Sequence, residues 1–172
     1  RSTKEADASL DESLEIATLM EAPVILINNP ISVRPTAANR TRLARLVARI
    51  PHDVTKLAWE PPGLWEEEET QAMAADLGLV LVGDAARDPL APGQVAYTRL
   101  RDLGEFRRLS MARMDKVLAH LQPFREAFVV IETEGPGGVA KAIRAAAEQG
   151  GVVRPPRVRH IEYPIRAEDE EQ

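Results

Sequence analysis

Short apolar runs alternate with segments of helical periodicity along most of this chain. The first run, Val24 to Ile27, follows Pro23, and continuous apolar runs of this length are typical of strands that are covered on both faces. Similar runs bounded by proline, glycine or polar residues predict five strands, near residues 24–28, 55–60, 79–83, 95–100 and 128–132. The pattern therefore predicts an α/β protein built from successive strand-then-helix units.

The segments between these runs carry apolar residues at helical spacing. Ser9 and Glu12 fit a capping box, which predicts a helix over residues 10–21. Amphipathic patterns predict further helices over about 43–50 and 65–77, with Gly78 as the C-terminal cap of the second. Two more helices are predicted, one after the N-cap Ser110 and one over residues 139–149.

The connection between the third and fourth predicted strands, residues 84–94, has no helical periodicity. It is short for a crossover between parallel neighbours, which normally takes a dozen or more residues. We still expect a partial (β/α) barrel or an open, mainly parallel five-stranded sheet flanked by helices. Residues 1–151 are predicted to form this single domain, followed by an extended C-terminal segment, residues 152–172, with an acidic tail.

Composition excludes several functional classes. The 172 residues include no cysteine, so disulfides, thiol nucleophiles and cysteine metal sites are excluded, and a cytoplasmic location is expected. No apolar run approaches the length of a membrane span, so we expect a soluble protein without membrane contact. The net charge of −5 argues against nucleic acid as a partner.

One basic island interrupts this acidic chain, at Arg34, Arg40, Arg42, Arg45 and Arg49, and is predicted to be a solvated helix face or a partner site.

Candidate chemistry lies where the predicted strands end, because functional groups of parallel α/β folds gather at the carboxyl ends of the strands. This rule nominates Asn28, Asn29, Glu60, Asp84, Arg99, Arg101 and Glu132. Glu60, Asp84, Arg99 and Glu132 are the catalytic candidates, and the three carboxylates could bind Mg²⁺ or Mn²⁺. Asn28, Asn29 and Arg101 are candidates for ligand binding. Alternatively, these carboxylates pair with Arg87, Arg99 and Arg101 or cap the following helices.

Two further features suggest ligand binding. Gly137 and Gly138 precede the last predicted helix, where exposed backbone amides can hold an anionic oxygen. Trp59 and Trp65 flank the exit of the second predicted strand, where Trp65 either packs or stacks on a base or sugar ring. Zinc is not expected, because the three histidines are scattered singly.

The order of several strand-end residues resembles the YecE-like family, a bacterial and archaeal domain of unknown function, number seventy-two in that series. The resemblance rests on Val24 to Pro30, Leu57-Ala58-Trp59-Glu60-Pro61 followed by Gly63 and Trp65, Leu79 to Asp84, Tyr97-Thr98-Arg99-Leu100, and Phe128 to Thr133. It implies an eight-stranded α/β barrel of which this chain would hold the last five strands. Three places depart from the family pattern, at Pro62, at Arg101-Asp102 and at Glu132-Thr133, so a pocket built there would be altered or lost.

A barrel with only five strands leaves two open edges. We therefore expect a degenerate member of this family whose role is protein interaction or assembly more than turnover, with itself or another protein chain as partner. The alternative is a divalent-metal-dependent hydrolase, with a phosphodiester as candidate substrate and an acidic site at the strand ends.

Overall fold

Five strands and five helices make up the part of the chain that the computed structural model describes, residues 3–51, 55–61, 63–101, 110–132 and 136–150. Pro62, Asp102, Thr133 and residues 152–172, which carried predictions, lie outside these ranges. The elements in chain order are α1 (Lys4–Leu19), β1 (Val24–Asn28), α2 (Ala37–Val47), β2 (Lys56–Glu60), α3 (Glu67–Leu77), β3 (Val80–Gly83), β4 (Val95–Leu100), α4 (Met111–Leu121), β5 (Glu126–Ile131) and α5 (Pro136–Gly150).

The strands form one parallel sheet in the order β1-β2-β3-β4-β5. The sheet is curled into a half-barrel, because Lys56 of β2 reaches Glu126 of β5 at 3.1 Å although two strands lie between them. This confirms the α/β fold and the parallel strand order predicted from the apolar runs.

The helices cover the convex face of the sheet. Near β1 and β2, Leu57 and Trp59 pack with Leu43 and Val47 of α2 and with Ala74 of α3. Near β4 and β5 a second cluster joins the sheet to α4 and α5, with the members Ala96, Leu100, Met114, Val117, Leu121, Ala127 and Ile143. The concave face holds a smaller cluster of Ala58, Tyr97 and Phe128.

The connection between β3 and β4 replaces a helix with a single turn. The carbonyl oxygen of Asp84 accepts hydrogen bonds from the amides of Arg87 and Asp88, at 2.9 and 3.0 Å. The amide of Ala85 donates to Oγ1 of Thr98 at 2.9 Å, and both residues are fully buried. Because Ala85 and Ala86 fill part of the second convex cluster, the short segment performs the packing that a crossover helix would otherwise supply.

Three helices begin earlier than the sequence pattern predicts. Helix α2 begins at Ala37 instead of near residue 43 and ends at Val47, because Oγ1 of Thr36 caps it by accepting a hydrogen bond from the amide of Asn39. The structure starts α1 at Lys4, since Oγ1 of Thr3 accepts a hydrogen bond from the amide of Ala6, and Ser9 then lies inside the helix. Helix α5 starts at Pro136, which suits the first helical position because its missing N–H would have no partner there. Ser110 and Gly78 cap α4 and α3 as predicted, Gly78 with a φ of 65°. None of the described helices is both long and apolar enough to cross a bilayer.

Candidate site at the carboxyl ends of the strands

Four charged side chains meet at the carboxyl end of the concave face. Glu60 ends β2, and Arg99 lies in β4, two residues beyond Tyr97 and therefore on the same face as Tyr97. Arg101 follows β4, and Glu132 follows β5. We call Glu60, Arg99, Arg101 and Glu132 the strand-end cluster.

Each arginine of the strand-end cluster bridges both glutamates. Nη1 of Arg99 donates to Oε2 of Glu60 at 2.5 Å, and its Nε donates to Oε1 of Glu132. Nη1 and Nη2 of Arg101 donate to both carboxylate oxygens of Glu60, and its Nε donates to Oε2 of Glu132 at 3.0 Å. The closed ring of ion pairs therefore ties together β2, β4 and the residue after β5.

Partial burial and the ion pairs have opposite effects on the pKa values of Glu60, Arg99 and Arg101. The Glu60 side chain is 15% exposed, and this desolvation favours the neutral acid, but the hydrogen bonds from Arg101 and Arg99 prevail and lower its pKa below the usual 4.5. Desolvation also disfavours the charged form of Arg99, yet Glu60 and Glu132 raise its pKa. The hydrogen bond with Glu60 is the main reason why the pKa of Arg101 is raised. All three groups are consequently ionised at neutral pH.

The arrangement is suited to holding the curl of the sheet. Two carboxylates face two guanidinium groups, so their charges cancel, and both Glu60 oxygens already accept hydrogen bonds from arginine. Among the described residues, no group of three histidine, cysteine or acidic side chains could hold a metal ion. The Mg²⁺ or Mn²⁺ site on Glu60, Asp84 and Glu132 thus stays a prediction, and a cation there would have to compete with the arginines for Glu60 and Glu132.

Asp84 lies next to the strand-end cluster and shapes the backbone. Its Oδ1 accepts a hydrogen bond from the amide of Ala86 and its Oδ2 accepts one from the amide of Arg101, each at 3.0 Å. Asp84 therefore connects the exit of β3 to the exit of β4. The sequence offered helix capping as one role for this carboxylate, and Asp84 does accept backbone hydrogen bonds, but it caps a turn and not a helix.

Asn29 and Trp65, two of the predicted ligand-binding residues, support Trp59. Oδ1 of Asn29 accepts a hydrogen bond from Nε1 of the fully buried Trp59 at 2.7 Å. The Trp65 ring stands edge-on to Trp59, with centroids 5.2 Å apart, and its Nε1 donates to the carbonyl of Val33. These contacts match the packing alternative for Trp65. Asn28 is exposed at the end of β1 and pairs in register with Glu60.

Gly137 and Gly138 lie inside the first turn of α5, whereas the sequence predicted that they precede the helix. A Cβ atom added to either residue would meet nothing within 4 Å. Their backbone amides still belong to the helix N-terminus, so the predicted anion site stays a prediction.

The sequence analysis missed a second set of contacts on the concave face. Tyr97 and Phe128 stack with ring centroids 6.3 Å apart, and Lys56 lies over the Phe128 ring as well as pairing with Glu126. Burial raises the pKa of Tyr97. Alternation along the strands carried the signal, because residues two apart share a face. This alternation predicts that Lys56 and Glu60 lie on one face of β2, and that Tyr97 and Arg99 lie on one face of β4.

Two of the five arginines of the basic island on and around α2 form ion pairs within the chain. Arg40 pairs with Glu69 of α3, and Arg49 pairs with Asp7 and Asp11 of α1. The hydrogen bond with Asp7 raises the pKa of Arg49. The solvated-face alternative therefore describes these two arginines better than a partner site does.

Comparisons with known proteins bear on the fold. No protein-family model matches this sequence, and no curated protein matches it. A solved structure of a DUF72 family protein from Thermotoga maritima superposes with a TM-score of 0.59 at 18% sequence identity. The alignment covers 86% of this chain and 66% of that protein, so this chain spans just under two thirds of its length. Over most of its length the chain therefore has the fold of this DUF72 family protein, while the eight-stranded barrel that the strand-end residues implied stays a prediction.

Proposed function

We propose that this domain is a protein-interaction or assembly module that binds another protein chain, a second copy included, along β1 and α1. The single observation that carries the proposal is an uncharged strand, Val24–Asn28, at the end of the sheet, in the same part of the molecule as exposed apolar residues of α1.

Among the described residues, β1 lies at the end of the sheet and its outer edge is not paired with another strand. Within the described residues β1 pairs only with β2, so its other side presents backbone N–H and C=O groups. Proteins usually protect such strands with charges, prolines or bulges inside the strand. The sequence Val-Ile-Leu-Ile-Asn contains no charged residue and no proline, so this edge is suited to strand addition from another chain.

The C-terminal end of helix α1 carries apolar residues on the side that faces the sheet and on the side that faces away from it. Leu14 packs against the cluster that contains Ile25 of β1 and Leu46 of α2. Ile16, Leu19 and Met20 lie on the opposite side and are 49%, 78% and 64% exposed. Neighbouring exposed apolar side chains often mark a contact surface, so this strip at the end of α1 is suited to a partner.

The charge of α1 specifies the partner further. The helix and its C-terminal turn carry the acidic residues Glu5, Asp7, Asp11, Glu12, Glu15 and Glu21 against one basic residue, Lys4. The complementary surface in another protein is an extended apolar segment that carries basic residues, whereas between two copies the apolar strip and the β1 edge must overcome the repulsion between these acidic residues.

The strand-end cluster supports this proposal over a hydrolase. A metal-dependent enzyme needs carboxylate oxygens that are available to the cation, whereas those of Glu60 and Glu132 accept hydrogen bonds from Arg99 and Arg101. Thermal unfolding with and without Mg²⁺ or Mn²⁺ separates the two functions, since bound metal would stabilise the folded chain.

Light scattering over a concentration series tests the module directly. We expect self-association that weakens when both Leu19→Gln and Met20→Gln are introduced, because these changes remove exposed apolar area without adding charge. Ile31→Gln is the matched control, since Ile31 is also 78% exposed but lies outside α1 and β1. A monodisperse monomer at high concentration with no bound partner, or equal weakening by Ile31→Gln, contradicts the proposal.

A further inference from the structure

Helices α1 and α2 are neighbours on the convex side of the sheet. Leu14 of α1 and Leu46 of α2 pack in the same apolar cluster, and Arg49, just after α2, pairs with Asp7 and Asp11 of α1. The faces of α1 and α2 that point away from the sheet therefore lie next to each other on the surface of the molecule.

The outer face of α1 combines carboxylates with the exposed apolar strip. Helical spacing places Glu12, Glu15 and Leu19 on the side away from Leu14, and all three are exposed. Neither glutamate forms an ion pair with another of the described residues, since the arginine that reaches α1 pairs with Asp7 and Asp11 instead. The two charges are consequently available to a cationic partner.

The outer face of α2 carries the opposite charge. Arg42 and Arg45 are exposed and point away from the buried Leu43 and Val47. Nη1 of Arg42 donates a hydrogen bond to the neutral side chain of Asn39 at 3.0 Å. Neither arginine forms an ion pair with a carboxylate in the part of the chain that the structure describes. Both positive charges are therefore available to an acidic surface.

We propose that the partner is a second copy of this chain, docked so that α1 of each copy lies against α2 of the other. This inference rests on the proposed function and deepens it, because it identifies the partner of the α1 strip. An interface of this kind is isologous, which means that both copies use the same surface. The surface is self-complementary, because it holds an acidic helix beside a basic one.

This arrangement removes the main obstacle to self-association. Contact between the two α1 helices would oppose carboxylates with carboxylates, whereas contact of α1 with α2 opposes Glu12 and Glu15 with Arg42 and Arg45. The members of each pair are three residues apart, so both pairs occupy one turn of helix. The aliphatic stems of arginine side chains also pack on apolar surface, so α2 is able to cover the apolar strip of α1.

Charge reversal followed by mixing tests the proposal on the full chain. Arg42→Glu with Arg45→Glu opposes like charges across the interface, and so does Glu12→Lys with Glu15→Lys. Analytical ultracentrifugation should show self-association at least about tenfold weaker in each of these two variants. An equimolar mixture of the two variants should recover an affinity within about threefold of the wild type, because each reversed helix then meets its opposite charge.

The matched control is Lys141→Glu with Arg144→Glu on α5. These residues are also exposed, three apart and positively charged, so the change in net charge is the same. We expect this control to stay within about twofold of the wild type. Arg42→Gln with Arg45→Gln keeps the test decisive if the reversal prevents folding, and should weaken association at least about threefold.

Three results overturn the proposal: a wild type that is monomeric, a mixture that stays as dissociated as its two components, or an α5 control that weakens association as much as the reversal of α2. A second measurement separates this inference from the proposed function. If the mixture fails but Leu19→Gln with Met20→Gln still weakens self-association, the contact of α1 with α2 is wrong and the interaction module stands.

Discussion

At the residue scale, Glu60 shows how opposing effects set a charge. Its partial burial favours the protonated acid, while hydrogen bonds from two guanidinium groups favour the carboxylate and prevail. The ionised form is therefore more favourable in the folded chain than in the unfolded chain. This difference makes stability depend on pH.

We expect Glu60→Gln to destabilise the chain by about 1–3 kcal/mol at neutral pH, between the values typical of exposed and fully buried pairs. Because folding lowers the pKa of Glu60 from 4.5, its stabilisation is fully present above that value and is lost as pH falls through the folded-state pKa. Urea unfolding at a series of pH values should show the difference between wild type and variant shrinking only in acid. The exposed Glu148 on α5 provides the control, Glu148→Gln. A difference that does not change with pH contradicts this account.

At the scale of single elements, the β3–β4 connection shows how a short segment can join parallel strands. The segment lacks a helix, and a buried hydrogen bond from the amide of Ala85 to Thr98 holds its first turn against β4. Gly83 leaves room for Leu90 of this segment, since a Cβ atom at Gly83 would lie 2.6 Å from Cδ2 of Leu90. The connection is therefore held by Thr98 of β4 and has room to pass because of Gly83 of β3.

Thr98→Val should destabilise the chain by about 1–3 kcal/mol, because it keeps the side-chain shape but leaves the buried Ala85 amide without an acceptor. Thr98→Ser retains the acceptor and loses one methyl group, so we expect it to cost less. Chemical denaturation of both variants measures the comparison. Equal or greater stability of Thr98→Val would show that this hydrogen bond does not hold the connection.

Two glycines give a matched test of helix ends. Gly78, after α3, has a φ of 65°, whereas Gly138 lies in the first turn of α5, and neither has an atom within 4 Å of an added Cβ. Gly78→Ala should therefore cost about 1–2 kcal/mol through backbone strain alone. Gly138→Ala should stabilise by up to about 1 kcal/mol through helix propensity. Thermal unfolding measures both, and a change of the same sign in the two variants would contradict the assigned backbone conformations.

At the scale of the whole molecule, the two convex clusters are connected through the concave face. One cluster lies against β1 and β2 and the other against β4 and β5. Ala58, Tyr97 and Phe128 join β2, β4 and β5 on the concave side, and the strand-end cluster joins the same strands at their carboxyl ends. We therefore expect the two halves to unfold together.

Both tryptophans of the chain, Trp59 and Trp65, lie in the β1–β2 half, so their fluorescence reports on that half. Leu121 is 1% exposed in the other cluster, and Leu121→Ala should destabilise the chain by about 2–5 kcal/mol. If unfolding is cooperative, tryptophan fluorescence and far-ultraviolet circular dichroism shift to the same lower midpoint. A fluorescence midpoint that stays at the wild-type value would show that the halves unfold separately.

Local patterns predicted most of the elements but not all of their limits. The apolar runs near Val24 and Val95 identified β1 and β4 with their observed bounds, and Ser110 and Gly78 identified helix ends, because these signals act through neighbouring residues. The start of α1 was placed too late because Ser9 and Thr3 are both able to cap, and a local pattern does not choose between them.

The sequence by itself determined which residues reach the carboxyl rim of the sheet, because alternating strands and helices deliver Glu60, Asp84, Arg99 and Glu132 to strand ends. Only the tertiary structure decided their pairing. Glu60 and Arg101 lie far apart along the chain and meet because the sheet curls, and the curl depends on the packing of all five strands at once. Strand identity is a local property of the chain, whereas contacts across a curved sheet are a property of the assembled whole.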